Sequence, residues 1–225
     1  MAKVMYITFV VLCLYASSAD STLQTNNGTI HVRIGTTAGC PDAARFIQNQ
    51  VPQTYELYKK YLEIEFVPWG RTRRDAEGNL ICQFGENDCW ANRVQRCVLS
   101  LLAGKTEVQI KYMLCEFSPP FPALRQRSLS CAQSVGLSVI EIDYCLSTTG
   151  DALDGPAELA STAAVEAIRF IPFIVFNNNI NVDQHAQAYR RLQKIYIFNL
   201  PLSRETFLYP NINNSLQFII INKLN

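Results

Sequence analysis

Apolar and polar residues alternate over Ile30-His31-Val32-Arg33-Ile34 and again over Leu62-Glu63-Ile64-Glu65-Phe66-Val67. A period of two predicts strands with one buried face, the first over 30–36 and the second stopping at Pro68-Trp69-Gly70. His31 alternates with Val32 and Ile34, so it reads as an exposed strand histidine. Between the strands, Phe46, Ile47, Val51, Leu57, Tyr58 and Tyr61 recur at helical spacing. They predict one helix over 42–61, kinked near Pro52. Strand, helix, strand makes a βαβ unit.

Arg71 to Gly78 is a charged loop, and Asn79-Leu80-Ile81 suits a short strand. Trp90, Val94, Cys97, Val98, Leu101 and Leu102 then fall three or four apart. They predict a helix from an N-cap at Asn87 or Asp88 to about Ala103, ended by Gly104. Cys89 and Cys97 lie close to one face of it. Helices over 107–117 and 123–135 follow, parted by Ser118-Pro119-Pro120-Phe121-Pro122.

Asp154-Gly155-Pro156 opens a helix of small residues reaching about Ile168. The apolar run Phe170 to Phe176 carries Pro172 near its head, where a strand tolerates proline. Asn177-Asn178 suits a tight turn, after which Asn179 to Val182 returns as a strand. Asp183 caps a last helix through Ala186, Tyr189, Leu192, Ile195 and Tyr196. His185, in its first turn, reads as a surface residue. This order is that of an α/β, thioredoxin-like fold with a helical insertion over about 78–152. In such a fold a cis-proline heads the third strand beside the reactive cysteine, and Pro172 is the candidate. The stretch 200–225, with the strand-prone run Leu216-Gln217-Phe218-Ile219-Ile220-Ile221, is a tail to which the pattern assigns no role.

Composition supports a real core. Of 225 residues, 48% are hydrophobic and 17% charged, with a formal charge of +1. The one basic run, Arg71-Thr72-Arg73-Arg74, reads as a solvated loop, so no nucleic-acid partner is expected. Lys3, the apolar Val4 to Leu14 and the small Ser17-Ser18-Ala19 read as a signal peptide over 1–19, with an uncleaved anchor as the rival. No later stretch is apolar and long enough to span a membrane. The domain proper then covers 20–199, in the secretory pathway, secreted or lysosomal. The sequons at Asn27 and Asn213 agree with export.

Eight cysteines become seven when Cys13 leaves with the signal. Exported cysteines pair, and the simplest solution joins Cys82, Cys89, Cys97, Cys115, Cys131 and Cys145 in three disulfides, leaving Cys40 free. Spacing does not choose among the pairings. Cys40 sits in Gly39-Cys40-Pro41-Asp42-Ala43, at the junction of the first strand and helix. Backbone N–H groups at a helix start lower a thiol pKa, and Pro41 suits the first turn. A Cys-x-x-Cys redox motif would put a second sulfur at Ala43. Neither His31 nor His185 is at ligand spacing from a cysteine pair, and no glycine-rich phosphate loop occurs, so neither metal nor cofactor is expected.

The run Cys82-Gln83-Phe84-Gly85-Glu86-Asn87-Asp88-Cys89-Trp90-Ala91-Asn92-Arg93-Val94-Gln95-Arg96-Cys97 resembles the C-Q-H-G-x-x-E-C-x-x-N-x-x-x-x-C signature of the gamma-interferon-inducible lysosomal thiol reductase (GILT) family. Phe84 stands for the histidine and Asp88 for the glutamate. The wider likeness covers about Ile30 to Phe198. It implies a thioredoxin-like thiol reductase acting on protein disulfides, with Cys40 as attacking thiolate and Pro41, Ile171 and Pro172 around the substrate. Ala43 occupies the place of the resolving cysteine, and the family's acidic residue ahead of the motif is replaced within Thr36-Thr37-Ala38-Gly39. Three readings follow. Cys40 works alone with a small external thiol as reductant, on disulfide-containing or unfolded clients. Or the fold binds clients without turnover. Or Cys40 forms an intermolecular disulfide.

Overall fold

The computed structural model describes residues 28–194. The expected signal peptide, Asn27, Asn213 and the 200–225 tail lie outside the described residues. Strand β1 (Ile30–Thr36), helices α1 (Pro41–Asn49) and α2 (Val51–Tyr58) and strand β2 (Leu62–Pro68) make the βαβ unit. A small ribbon follows, β3 (Arg73–Arg74) with β4 (Leu80–Ile81). The insertion carries α3 (Glu86–Leu101), α4 (Thr106–Glu116), α5 (Pro122–Gln126), α6 (Ser130–Ser134) and α7 (Val139–Tyr144). A π turn (Cys145–Thr149) and a 3-10 turn (Gly150–Leu153) lead into α8 (Asp154–Ile168), then β5 (Phe173–Phe176) and α9 (Val182–Arg190).

The sheet order is β2-β1-β5, with β1 parallel to β2 and antiparallel to β5. Register pairs Ile30, Val32 and Ile34 with Leu62, Ile64 and Phe66, and Val32 and Ile34 with Phe176 and Ile174. That face is the core, shared with Phe46, Ile47 and Val51 from the first two helices. Each such fully buried side chain contributes about 2 kcal/mol. The opposite face is divided. At its far end Gly35, Val67 and Phe173 lie together, and Ala157 of α8 packs against Val67. Gly35 is required there, because a Cβ would meet Phe173 Cε1 at 1.9 Å. At the near end Arg33 donates from Nε to Glu65 Oε2 at 2.8 Å, and His31 Nε2 is 3.2 Å from the same oxygen. His31 is thus half-buried in a cross-strand cluster and not simply exposed.

Several boundaries differ from the sequence expectation for local reasons. The single helix over 42–61 is two, broken at Gln50 with φ −124°, and Pro52 falls in the first turn of α2. Gln50 spans the break to α9: its Nε2 donates to the Tyr189 carbonyl at 2.6 Å, and its Oε1 accepts from Leu192 N–H at 2.7 Å. The helix expected over 123–135 is likewise two, because Arg127 turns the chain with φ 48°. The strand expected over 179–182 shrinks to one bridge between Phe176 and Asn179. Asn181, not Asp183, caps α9 by accepting from Gln184 N–H at 3.0 Å, so the helix begins early and cuts the strand short. Ile195 and Tyr196 lie outside the described residues.

Three disulfides bind the insertion: Cys82–Cys89, Cys97–Cys145 and Cys115–Cys131. Cys89 and Cys97 share a helix but serve different bridges. A buried ion pair adds to them. Arg96 Nη2 meets Asp154 Oδ1 at 2.6 Å, and its Nη1 donates to the Pro68 carbonyl at 2.8 Å. The guanidinium lies 5.2 Å from the buried Trp69 ring. Helix α3 is thereby fixed to the end of β2 and the start of α8. The basic run is also engaged with the protein: Arg71 Nη2 donates to the Arg169 carbonyl at 2.7 Å, and Arg74 pairs with Glu158 at 3.2 Å.

Candidate active site

Strand β1 delivers the chain to a tight turn, where Cys40 N–H donates to the Thr37 carbonyl at 3.0 Å. Cys40 is the N-cap of α1, with extended backbone, and Pro41 follows in the first turn. Its carbonyl accepts the first helical bond, from Ala44 N–H at 3.0 Å. The thiol donates to the Ile171 carbonyl at 3.4 Å, and the Ile171–Pro172 peptide bond is cis. The four residues expected at the site, Cys40, Pro41, Ile171 and Pro172, therefore converge from two ends of the chain. Cys40 is the free cysteine among the described residues. Ala43, at the place of a resolving sulfur, is fully buried.

Two residues of α3 shape the turn before Cys40. Asp88 is fully buried, and both its carboxylate oxygens accept from Thr37 Oγ1, at 2.9 and 2.8 Å. Oδ1 also accepts from Gly39 N–H at 2.9 Å, and Oδ2 from Phe84 N–H at 3.2 Å. Asn92 Oδ1 accepts from Ala38 N–H at 2.8 Å, while its Nδ2 donates to Thr37 Oγ1 at 2.9 Å. The whole turn from Thr37 to Gly39 hangs on these two side chains. Asp88 is therefore not the N-cap of its helix. The cap is Gly85, and Asp88 lies inside the first turn, where a carboxylate also meets the positive end of the helix. The insertion thus places a buried carboxylate against Thr37 and Gly39, in a stretch that has no acidic residue of its own.

Electrostatics run against the helix-start expectation. Burial raises the Cys40 thiol pKa above its ordinary value. The N–H groups of Ala43 and Asp42 do lower it, but the carboxylates of Asp42 and Asp88 add to the rise. Cys40 is only 6% exposed, and its thiol is desolvated more than the helix start compensates. On the rim, Asp42 pairs with Arg45 and accepts from Tyr189 Oη at 3.1 Å. Tyr189 stacks on Phe46 and meets Phe170 edge-on at 4.8 Å. His185 belongs to this cluster and is not a surface residue: it is 6% exposed, 5.9 Å from the Phe170 ring, and burial holds its pKa down. Phe170 covers it from just ahead of β5, a contact that helical periodicity does not reveal. Tyr189, Asp88 and Asn92 carried signals in the sequence as helix or signature positions, but not as parts of the Cys40 site. A separate hollow of about 330 Å³ opens near His31, Arg33 and Glu65, at the start of β1, and is lined by none of the site residues.

A βαβ unit, an antiparallel strand headed by a cis-proline and a cysteine capping the first helix define a thioredoxin-like protein. Solved structures agree: the reduced form of the disulfide bond oxidoreductase DsbG from Mycobacterium tuberculosis superposes with a TM-score of 0.50 over 80% of this chain and 86% of that one, at 16% identity. Likeness at that identity concerns the fold alone. Residues 31–135 match the family model of the gamma interferon inducible lysosomal thiol reductases, a match that supports membership of the GILT family. A gamma-interferon-inducible lysosomal thiol reductase-like protein of Anopheles gambiae is 32% identical over 87 residues, 34% of this chain and 36% of that one. A GILT-like protein of Caenorhabditis elegans is 27% identical over 162 residues, 65% of this chain and 46% of the other. The chain thus spans less than half the length of these two relatives.

Proposed function

We propose that the protein is a thiol-disulfide oxidoreductase that attacks protein disulfides through Cys40 alone and turns over with an external thiol. The observation that carries this reading is a free thiol at the start of α1, within 3.4 Å of the carbonyl that precedes cis-Pro172, while the other six described cysteines are paired. After loss of its proton, the Cys40 sulfur attacks one sulfur of a client disulfide. The new S–S bond forms as the old one breaks, and the second client sulfur leaves as thiolate. Ala43 offers no sulfur to break the mixed disulfide. A small thiol attacks Cys40, frees the client and leaves Cys40 joined to itself. A second small thiol then regenerates Cys40, and the two end as one disulfide.

A second reading, client binding without turnover, is favoured by the burial that raises the Cys40 pKa and so lowers its thiolate fraction. Both readings take disulfide-containing or unfolded proteins as partners. Three disulfides suit the oxidising lumen of the secretory pathway, with secretion or the lysosome as destination. Reduction of insulin with glutathione separates the readings. Wild type should exceed the uncatalysed rate and Cys40→Ser should not, while Ala43→Cys should reduce the dependence on added thiol. Equal rates for wild type and Cys40→Ser would sink the enzymatic reading.

A further inference from the structure

Phe84 lies in the loop closed by the Cys82–Cys89 disulfide, and its side chain rests on Gly39, the residue before Cys40. A methyl group added at Gly39 would meet Phe84 Cβ, Cγ and Cδ2 at 2.5, 2.6 and 2.8 Å, so glycine is the residue that lets the two approach. The Phe84 N–H and the Gly39 N–H are held by the two oxygens of one buried carboxylate, that of Asp88. Ring and nucleophile turn therefore share a single anchor. Despite this, Phe84 stays 44% exposed, and Ile81, on the other side of Cys82, is 41% exposed. An aromatic ring anchored on one side and left in water on the other, against the residue that precedes a recessed cysteine, offers ready-made apolar contact area to whatever reaches that cysteine.

We propose that Phe84 determines specificity: it receives an apolar side chain flanking the target cysteine. Cys40 then selects disulfides in apolar stretches of unfolded proteins over small hydrophilic disulfides such as glutathione disulfide. This inference rests on the Cys40 reading above. Apolar neighbours of a disulfide are buried in folded proteins and become available on unfolding, which fixes the class of client.

The test measures formation of the mixed disulfide, so it needs no turnover. Two peptides are used, one with Phe and one with Ser beside a single cysteine, each cysteine carrying thionitrobenzoate. Attack expels thionitrobenzoate, the better leaving group, and leaves the peptide on Cys40. Wild type should favour the Phe peptide by roughly two- to tenfold, the range expected of one aromatic contact. Phe84→Ala should bring the two rates together, and Phe84→Tyr should restore the preference. Because both peptides meet the same thiol, the ratio is insensitive to any change in Cys40 reactivity. An unchanged ratio in Phe84→Ala, or equal rates in wild type, would overturn the role given to Phe84 and leave the Cys40 reading standing. Failure of either peptide to label Cys40 would overturn both.

Discussion

Glu116 gives the fold a dependence on pH that can be worked out from its surroundings. It closes α4, is 3% exposed and accepts from Ala123 N–H at 3.0 Å through Oε2. Burial pushes its carboxyl from 4.5 up to about 7, against the smaller opposing effects of the Ala123 N–H and the Tyr112 hydroxyl. A rise of that size corresponds to about 3 kcal/mol, since each pKa unit is worth about 1.4 kcal/mol. The folded state holds this proton more tightly than the unfolded chain does. The contribution is therefore complete below about 4.5 and is lost as pH climbs through about 7. Glu116→Gln keeps the shape and cannot ionise, so it should lack this contribution while keeping that of His185, whose lowered pKa acts in the opposite direction. Urea unfolding with the disulfides intact, followed from about pH 4 to about pH 8, reads both curves. Wild type should lose about 3 kcal/mol relative to the variant over that range. Parallel curves would refute the reasoning.

Two further predictions concern the thiol and the buried ion pair. The rate of Cys40 alkylation by iodoacetamide should rise with a midpoint above that of an ordinary cysteine, because burial and the Asp42 and Asp88 carboxylates disfavour the thiolate. A midpoint below the ordinary value would contradict the electrostatic account. Arg96→Met should cost about 3 kcal/mol in urea unfolding by leaving the buried Asp154 carboxylate with only the longer contact to Arg74 at 3.9 Å, and a second change, Asp154→Leu, should recover most of it. A single variant as stable as wild type would show that the pair does not tie α3 to α8.

Much of the scaffold was legible along the chain. Alternation located β1 and β2, because each has one buried face, and helical spacing located α3, α4 and α8. Cysteine parity identified Cys40 as the unpaired thiol, although the pairing itself needed the fold. Pro172 was legible because the order of elements is that of a thioredoxin-like fold, in which a cis-proline heads the third strand. What stayed hidden depends on contacts between distant segments. Asp88 reads as a helix cap but spends its carboxylate on Thr37 and Gly39, and His185 reads as surface until Phe170 closes over it. Desolvation of Cys40 is of the same kind. The helix start is written locally, whereas the burial that outweighs it comes from the fold around the sulfur.

The central claim is that Cys40 attacks a disulfide and, without help, does not let go. The most direct measurement is intact mass after incubation with a peptide disulfide in the absence of added thiol. One peptide adduct should form, map to Cys40, persist on standing and vanish when glutathione is added. No adduct at Cys40, or an adduct that disappears without any thiol, would contradict the account.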